Sequence, residues 1–480
     1  MVLTLDGPVS QTRGRAIRAG APLAVLIGAL VYWLLGQPFV FPVDDAYITL
    51  NNARALLSGA DPNFGASPLV GATSPIHLAM VALACLVLPP VAASFAVATL
   101  GVMAYAWGVA ELAVRQGLSR LGAALLLATA LGGGFAIFQL FNGLETAWAM
   151  AAVTWAIVLA ERPSRILAVL AGTLPFVRPE LAALSVLLMA RQTWLRRDLR
   201  QTAIDAALAL SAAAPWLAWS WIETGALVAN TLDAKAAFFA DGDTGRMSAA
   251  PRAFGGLFNG LGPALVAMLL ARRNSLTFVL WAFVLIFVAA FMAVFPGGLS
   301  HNLFRYTYVL LPVALWSLCG GSRLRHLLLV VSAVAWAGIG AVHSATLLTA
   351  AKAGSADALR AGDWIQAHTS PATVILVHDV GGIAFVSDRP MVDLVGLKTP
   401  WATPYHQKFA APTAGRDRWR ATGAIARRSG ARYAVIGREP FWAVLGQELR
   451  TAGWTLVPVR ASPLPAAGYD IYRLADPVAR

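Results

Sequence analysis

Between residues 17 and 349 the chain alternates long apolar runs with short basic or proline-containing breaks. Eleven of these runs approach the length of a membrane-spanning helix: 19–35, 91–113, 121–141, 146–160, 164–177, 180–192, 203–222, 253–271, 275–295, 303–319 and 327–349. A further run, 76–88, is shorter and reads as an interfacial or re-entrant segment. The runs 164–177 and 180–192 are interrupted by Pro175, Arg178 and Pro179. Broken helices of that kind must be sheltered by protein or line a wet cavity.

After residue 354 the pattern changes to short alternating segments. It predicts a helix over 355–368, a strand Thr373–His378, a glycine turn at Gly381-Gly382, and strands near Ile383–Val386 and Met391–Leu394. A basic helix over 413–429, a strand Arg432–Ile436, a helix over 440–452 and strands near 454–459 and 469–474 complete the series. The expected architecture is mainly α: about eleven transmembrane helices over residues 1–354, then an α/β domain over 355–480.

Composition fits a membrane protein, with 58% hydrophobic and only 13% charged residues. A net charge of +13 would suit a nucleic-acid partner, but the arginines sit in short clusters between apolar runs. That placement argues for membrane topology and against nucleic acid. With 76–88 left unspanned, Arg115/Arg120, Arg162/Arg165, Arg191/Arg196/Arg197/Arg200, Arg272/Arg273 and Arg323/Arg325 all share the side of the basic N-terminus. The positive-inside rule then predicts a cytoplasmic N-terminus and an extracytoplasmic C-terminal domain. No cleavage signature follows the first run, so it reads as a retained span. Cys85 and Cys319 lie in apolar segments and imply neither a disulfide nor a metal framework.

Candidate chemistry begins in the loop 38–75, where Asp44 and Asp45 follow the first span. In a helix starting here, Asp44, Tyr47, Asn51 and Arg54 fall on one polar face. The pair either caps that helix or faces a cavity, and the two roles are compatible. Lys235 and Arg305 are rare cations on the opposite side from the basic clusters. They suit either a phosphate or an ordinary carboxylate or headgroup partner. Glu145 opens an apolar helix, while Arg178 and Glu180 interrupt two and require partners. His378-Asp379 beside a glycine turn reads as a structural pair or as a contribution to the cavity from the second domain.

Seven segments, in one order, resemble the GT-C superfamily of integral-membrane glycosyltransferases. They are Asp44-Asp45-Ala46-Tyr47-Ile48 with Asn52-Ala53-Arg54; Gly71-Ala72-Thr73-Ser74-Pro75; Asn142-Gly143-Leu144-Glu145-Thr146; and Val177-Arg178-Pro179-Glu180. The series continues with Ala229-Asn230-Thr231-Leu232-Asp233-Ala234-Lys235, then His301-Asn302-Leu303-Phe304-Arg305-Tyr306 before Leu311-Pro312, and finally Asp379-Val380-Gly381-Gly382-Ile383 running on to Val392–Leu397. Two departures stand out: His77-Leu78 where a bulkier continuation is usual, and Ala229 where proline is usual. The members most similar are bacterial arabinofuranosyltransferases and mannosyltransferase-like relatives.

The resemblance implies a hexosyl- or pentosyltransferase that takes a polyprenyl-phosphate sugar as donor and a cell-envelope glycan or glycolipid as acceptor, in a bacterial inner membrane. It implies an inverting reaction, with Asp44 as first choice of base and Asp45 orienting the acceptor or the base. Lys235 and Arg305 would meet the donor phosphate. Tyr47, Arg54, Glu145, Arg178, Glu180, Asn230, His301, Tyr306 and Asp379 would bind substrate or support the site. The resemblance fixes no cofactor; some members of the superfamily use a divalent cation near the first-loop acid, and Asp44 and Asp45 leave room for one. A transporter or flippase of a lipid-linked saccharide would share the spans, broken helices and buried charges. No inverted repeat is visible, and transport has no need of the terminal domain.

Overall fold

The protein is described by a computed structural model over residues 8–242, 246–295, 298–320 and 322–475. It is mainly helical, and five helices are long and apolar enough to cross a membrane: Gly14–Leu35, Pro90–Arg115, Leu199–Thr224, Ser275–Val294 and Arg323–His368. Their outward faces carry bare aliphatic side chains such as Leu35, Ile222, Leu285 and Val342, as a lipid-facing surface requires. The chain is a multi-pass membrane protein.

Other expected spans form helices that are shorter or broken. Thr146–Leu159 and Arg165–Val177 fall short of a full crossing, and 121–141 breaks into Arg120–Gly132 and Ala136–Leu140. The run 253–271 is divided between Arg246–Leu261 and Ala264–Leu269, and 303–319 between His301–Tyr308 and Leu311–Leu318. Pro75–Cys85, within the run expected not to span, is a helix of 11 residues.

Arg323–His368 runs for 46 residues, through a π-helical turn at Ser332–Trp336. At 1.5 Å per residue it is about 69 Å long, more than twice a hydrocarbon core. Its C-terminal part is the helix expected over 355–368, so the expected boundary at residue 354 lies inside a continuous helix.

Beyond it lies a five-stranded mixed sheet of β1 (Ile375–Val377), β2 (Met391–Asp393), β3 (Tyr433–Gly437), β4 (Thr455–Arg460) and β5 (Tyr469–Ala475), in the order β2-β1-β3-β5-β4. β1 pairs in parallel with both β2 and β3, while β5 is antiparallel to β3 and β4. On one face Ile375, Val377, Val435 and Ile471 pack on Ala358, Ala361 and Ile365 of the long helix. On the other, Leu376, Val392 and Ile436 meet Ile425, Leu445 and Leu449 from helices Arg418–Ser429 and Pro440–Thr451.

Two expectations fail. Ile383–Val386 is not a strand but most of a helix, Gly382–Ser387, and the basic helix starts at Arg418, after a 3-10 turn at Ala411–Thr413. β-branched and aromatic residues favoured a strand at 383–386. Tertiary packing overrides that preference, because the segment sits between the long helix and the helix Asp45–Ser58.

Candidate functional site

Helix Asp45–Ser58 opens on an acidic residue and closes on Gly59, whose φ of 77° suits the left-handed C-terminal turn. Asp44 precedes it with helical backbone angles, yet its side chain caps nothing. Its two carboxylate oxygens instead accept the backbone N–H groups of Gly381 (2.8 Å) and Gly382 (2.7 Å), just after β1. The approach requires glycine at 381, whereas a Cβ on Gly382 would be tight, at 3.2 Å from Asp44 Oδ1. A Cβ on Gly381 would stand 2.0 Å from the Asp44 carbonyl oxygen, so no other residue fits. β1 has neighbours on both sides in parallel, and the loops at the carboxyl ends of such strands are where α/β sheets bind ligands.

The polar face expected to line a site docks the second domain instead. The Tyr47 ring packs on Phe385 at 5.4 Å, and its hydroxyl accepts the N–H of Phe41. Asn51 donates to the Gly381 carbonyl at 3.1 Å. Arg54 donates to the Phe385 carbonyl and pairs with Asp388 at 3.1 Å. Tyr47 and Arg54 therefore hold helix 382–387 in place and do not line the cavity. Asn230 has a similar duty, accepting from Gly71 N–H (3.1 Å) and donating to the Leu397 carbonyl (2.9 Å).

Asp45 turns the other way. Its Oδ2 accepts from Asn302 (3.3 Å) and faces Arg305 Nη1 (3.4 Å). This contact depends on an unusual turn: Asn302, Leu303 and Phe304 all have left-handed backbone, with φ of 47°, 55° and 68°. Such angles cost about 1–2 kcal/mol per residue without glycine. Gln139 offsets that cost by donating to the carbonyls of Asn302 and Leu303, both at 2.8 Å.

Behind Arg305 the charges continue inward. Arg305 faces Glu145 at 3.8 Å, Glu145 bonds Arg178, and Arg178 Nε bonds Glu180 at 2.5 Å. Tyr306 lies beneath both guanidinium groups, 4.7 Å from Arg178 and 5.1 Å from Arg305, and accepts from Lys235 at 3.3 Å. Arg178, Arg305 and Glu145 are 0%, 3% and 5% exposed at their side chains. Lys235 has no ion-pair partner among the described residues, which leaves its ammonium free for an anion.

These groups border two spaces. A small pocket of about 40 Å³ is lined by Thr73, His77, Glu145 and Arg305. A cavity of about 680 Å³ is lined by Asp44, His301, Asp379 and Tyr469, within the range of ligand sites. Asp45 and Lys235 border both. In the larger space, Asp379 accepts from the Tyr469 hydroxyl at 2.6 Å and faces His378 Nδ1 at 3.4 Å. His378 Nε2 accepts the N–H of Gly437, so Nδ1 is left to carry the ring proton, and Trp442 stacks on the imidazole at 4.2 Å.

Burial, reinforced by the neighbouring Asp379 charge, raises Asp44 well above the ordinary carboxylate range despite the two N–H donors. Burial also acts on Asp379, but His378 and Tyr469 outweigh it and hold that carboxyl below its usual value. His301 is pushed down to about 3 by burial and then by Lys235, so it is neutral at pH 7. The acidic pair makes a poor cation site: Asp44 has a donor on each oxygen, and Asp45 lies against an arginine. Among the described residues no three His, Cys, Asp or Glu side chains form a metal-sized group.

Most residues expected at a site converge here: Asp44, Asp45, Lys235, Glu145, His301, Arg305 and Asp379 line the spaces, with Arg178, Glu180 and Tyr306 behind them. Sequence reasoning passed over Asn302, His77, Trp442 and Tyr469. Asn302 lies within the motif that carries Arg305, and His77 directly follows the Gly71–Pro75 motif, so both had a signal in the sequence; Trp442 and Tyr469 come from distant segments with none.

Residues 348–474 match a family model described as a domain of unknown function (DUF8728). No curated protein sequence matches the chain. Among solved structures it is similar to ArnT from Cupriavidus metallidurans bound to undecaprenyl phosphate, at 13% identity and a TM-score of 0.56 over 94% of this chain and 97% of that one. The apo state of the same protein matches at 15% identity and a TM-score of 0.55, over 95% and 98%. At such identity what is shared is the fold, and it is the GT-C fold to which the seven sequence segments point.

Proposed function

We propose that the protein is a glycosyltransferase that moves a sugar from a polyprenyl-phosphate donor to a cell-envelope glycan or glycolipid on the outer face of the bacterial inner membrane. The observation that carries this reading is the shared border of the two spaces. A free lysine and a buried arginine stand at a small polar pocket, and a carboxylate of raised basicity stands in the larger cavity beside it. A phosphate in the small pocket would place the sugar across the Asp45–Lys235 border, with the acceptor on the Asp44 side. The relative's bound undecaprenyl phosphate supports the donor class.

In this mechanism the acceptor oxygen attacks the anomeric carbon as the bond to the phosphate oxygen breaks. The electron pair leaves with the phosphate, whose charge Lys235 and Arg305 stabilise. The acceptor proton passes to Asp44, held in place by the two glycine N–H groups. One displacement inverts the anomeric centre. Asp45 orients Arg305, and the Arg178–Glu145 pair holds that arginine from behind. Arg305 and Lys235 from the membrane-side helices supply the phosphate side, and Asp379, Trp442 and Tyr469 of the second domain cover the acceptor side.

Purified protein in lipid discs is expected to transfer from a polyprenyl monophosphate sugar and not from a soluble nucleotide sugar. Efficient turnover with the nucleotide sugar alone would overturn the donor assignment. An alkaline phosphatase fused after Ala353 is expected to be active, as an extracytoplasmic domain requires; an inactive fusion beside an active control would reverse the orientation.

A further inference from the structure

A second large cavity, of about 820 Å³, lies on the far side of the Val70–Gly71 and Leu397–Lys398 strands of chain, and the transfer chemistry leaves it unused. It is walled by the first loop, by the end of helix Leu199–Thr224 and by the second domain. Trp401 and Phe64 supply ring surface, and Asp233, Glu223 and Thr399 supply polar groups. Arg428 lies 4.4 Å over the Trp401 ring and holds it.

Charge distinguishes this space from the catalytic one. Among the described residues that line it the one lysine, Lys398, is consumed by Asp61 at 2.9 Å and by Asn52 at 2.7 Å. Asp233 and Glu223 have no cation paired to them among the described residues, and Glu223 holds only the Ser67 hydroxyl. The lining is thus negative overall and repels phosphates and uronic acids. Rings flanked by hydrogen-bonding groups suit the apolar faces and hydroxyl edges of sugars. Asn230 joins the Gly71 and Leu397 sides of the wall between this cavity and the small pocket, so the two spaces are neighbours.

The geometry points to a second carbohydrate site here, which holds an uncharged oligosaccharide segment of the acceptor away from the transfer point. The inference rests on the transferase reading for its purpose, but binding can be measured without it. The full chain in lipid discs would be titrated with neutral oligosaccharides of one to six units, and with the same series carrying a uronic acid. Saturation-transfer NMR and calorimetry read the binding.

The neutral series should tighten with length while the acidic series stays weak. Trp401→Ala should weaken the longest neutral ligand about tenfold, as loss of one aromatic contact implies, and Trp401→Phe should restore most of it. Asp233→Lys, at an exposed position, should instead admit the acidic series. Length-independent binding, equal affinity for the acidic series, or a Trp401→Ala that binds like the parent would overturn the proposal. If the parent binds as expected but Asp44→Asn transfers normally, the transferase mechanism fails and the sugar site stands.

Discussion

The two walls of the site are built on opposite principles. On the membrane side, charges are paired in series: Glu180, Arg178, Glu145, Arg305 and Asp45 each lean on the next. On the domain side, fixed backbone groups do the holding, as Gly381 and Gly382 hold Asp44 and Gly437 holds His378. Charge in a dry interior persists only when matched, so the membrane wall is rigid and electrostatic. The domain wall holds a carboxylate with neutral donors only, and burial and the Asp379 charge outweigh those donors and make it basic. A phosphate needs the first kind of surface, and a proton acceptor needs the second.

The largest structural effect should come from breaking the charge series at its centre. Arg178→Ala leaves Glu180 without its partner and Glu145 with only the more distant Arg305, a loss of about 3–5 kcal/mol for a broken buried pair. Thermal unfolding in detergent should show a much lower midpoint, with Arg178→Lys between the two. An unchanged midpoint would mean the series is wet and loosely held.

A smaller effect sharpens the domain side. The Asp379 charge raises Asp44, so Asp379→Asn should lower the Asp44 value. A base must be deprotonated to work, so a raised value places the acidic limb of kcat/KM above the usual carboxylate range near 3.9. In Asp379→Asn that limb should move to lower pH. A limb that stays in place would show that Asp379 does not act on the base.

The same contrast explains what the sequence disclosed. Charges on the membrane side were legible because Arg178, Glu180, Lys235 and Arg305 stand alone in apolar surroundings. Their pairing was not, since Glu145 and Arg305 are distant in sequence and meet only through packing. The left-handed turn at Asn302–Phe304 carries no glycine to announce it; Gln139, from another helix, makes it tenable. On the domain side the five strands were legible to within two residues at either end, because alternation is local. The helix Gly382–Ser387 was not, because the surfaces that enforce it belong to helices far away in sequence. For the same reason the polar stripe Tyr47, Asn51 and Arg54 was readable as a stripe but not as a docking face.

The central claim is that Asp44 takes the acceptor proton, and Asp44→Asn tests it most directly. Single-turnover transfer from a polyprenyl-phosphate sugar should fall by roughly a hundredfold or more, with donor affinity nearly unchanged. Lys235→Ala should lose donor affinity and turnover together, because phosphate is charged in the ground and transition states alike. Asn51→Ala, which cuts a neighbouring docking bond to Gly381 and spares the carboxylate, should stay within a few-fold of the parent. If Asp44→Asn transfers at a near-normal rate while Asp45→Asn does not, the base is the second carboxylate and the division between the two walls is wrong.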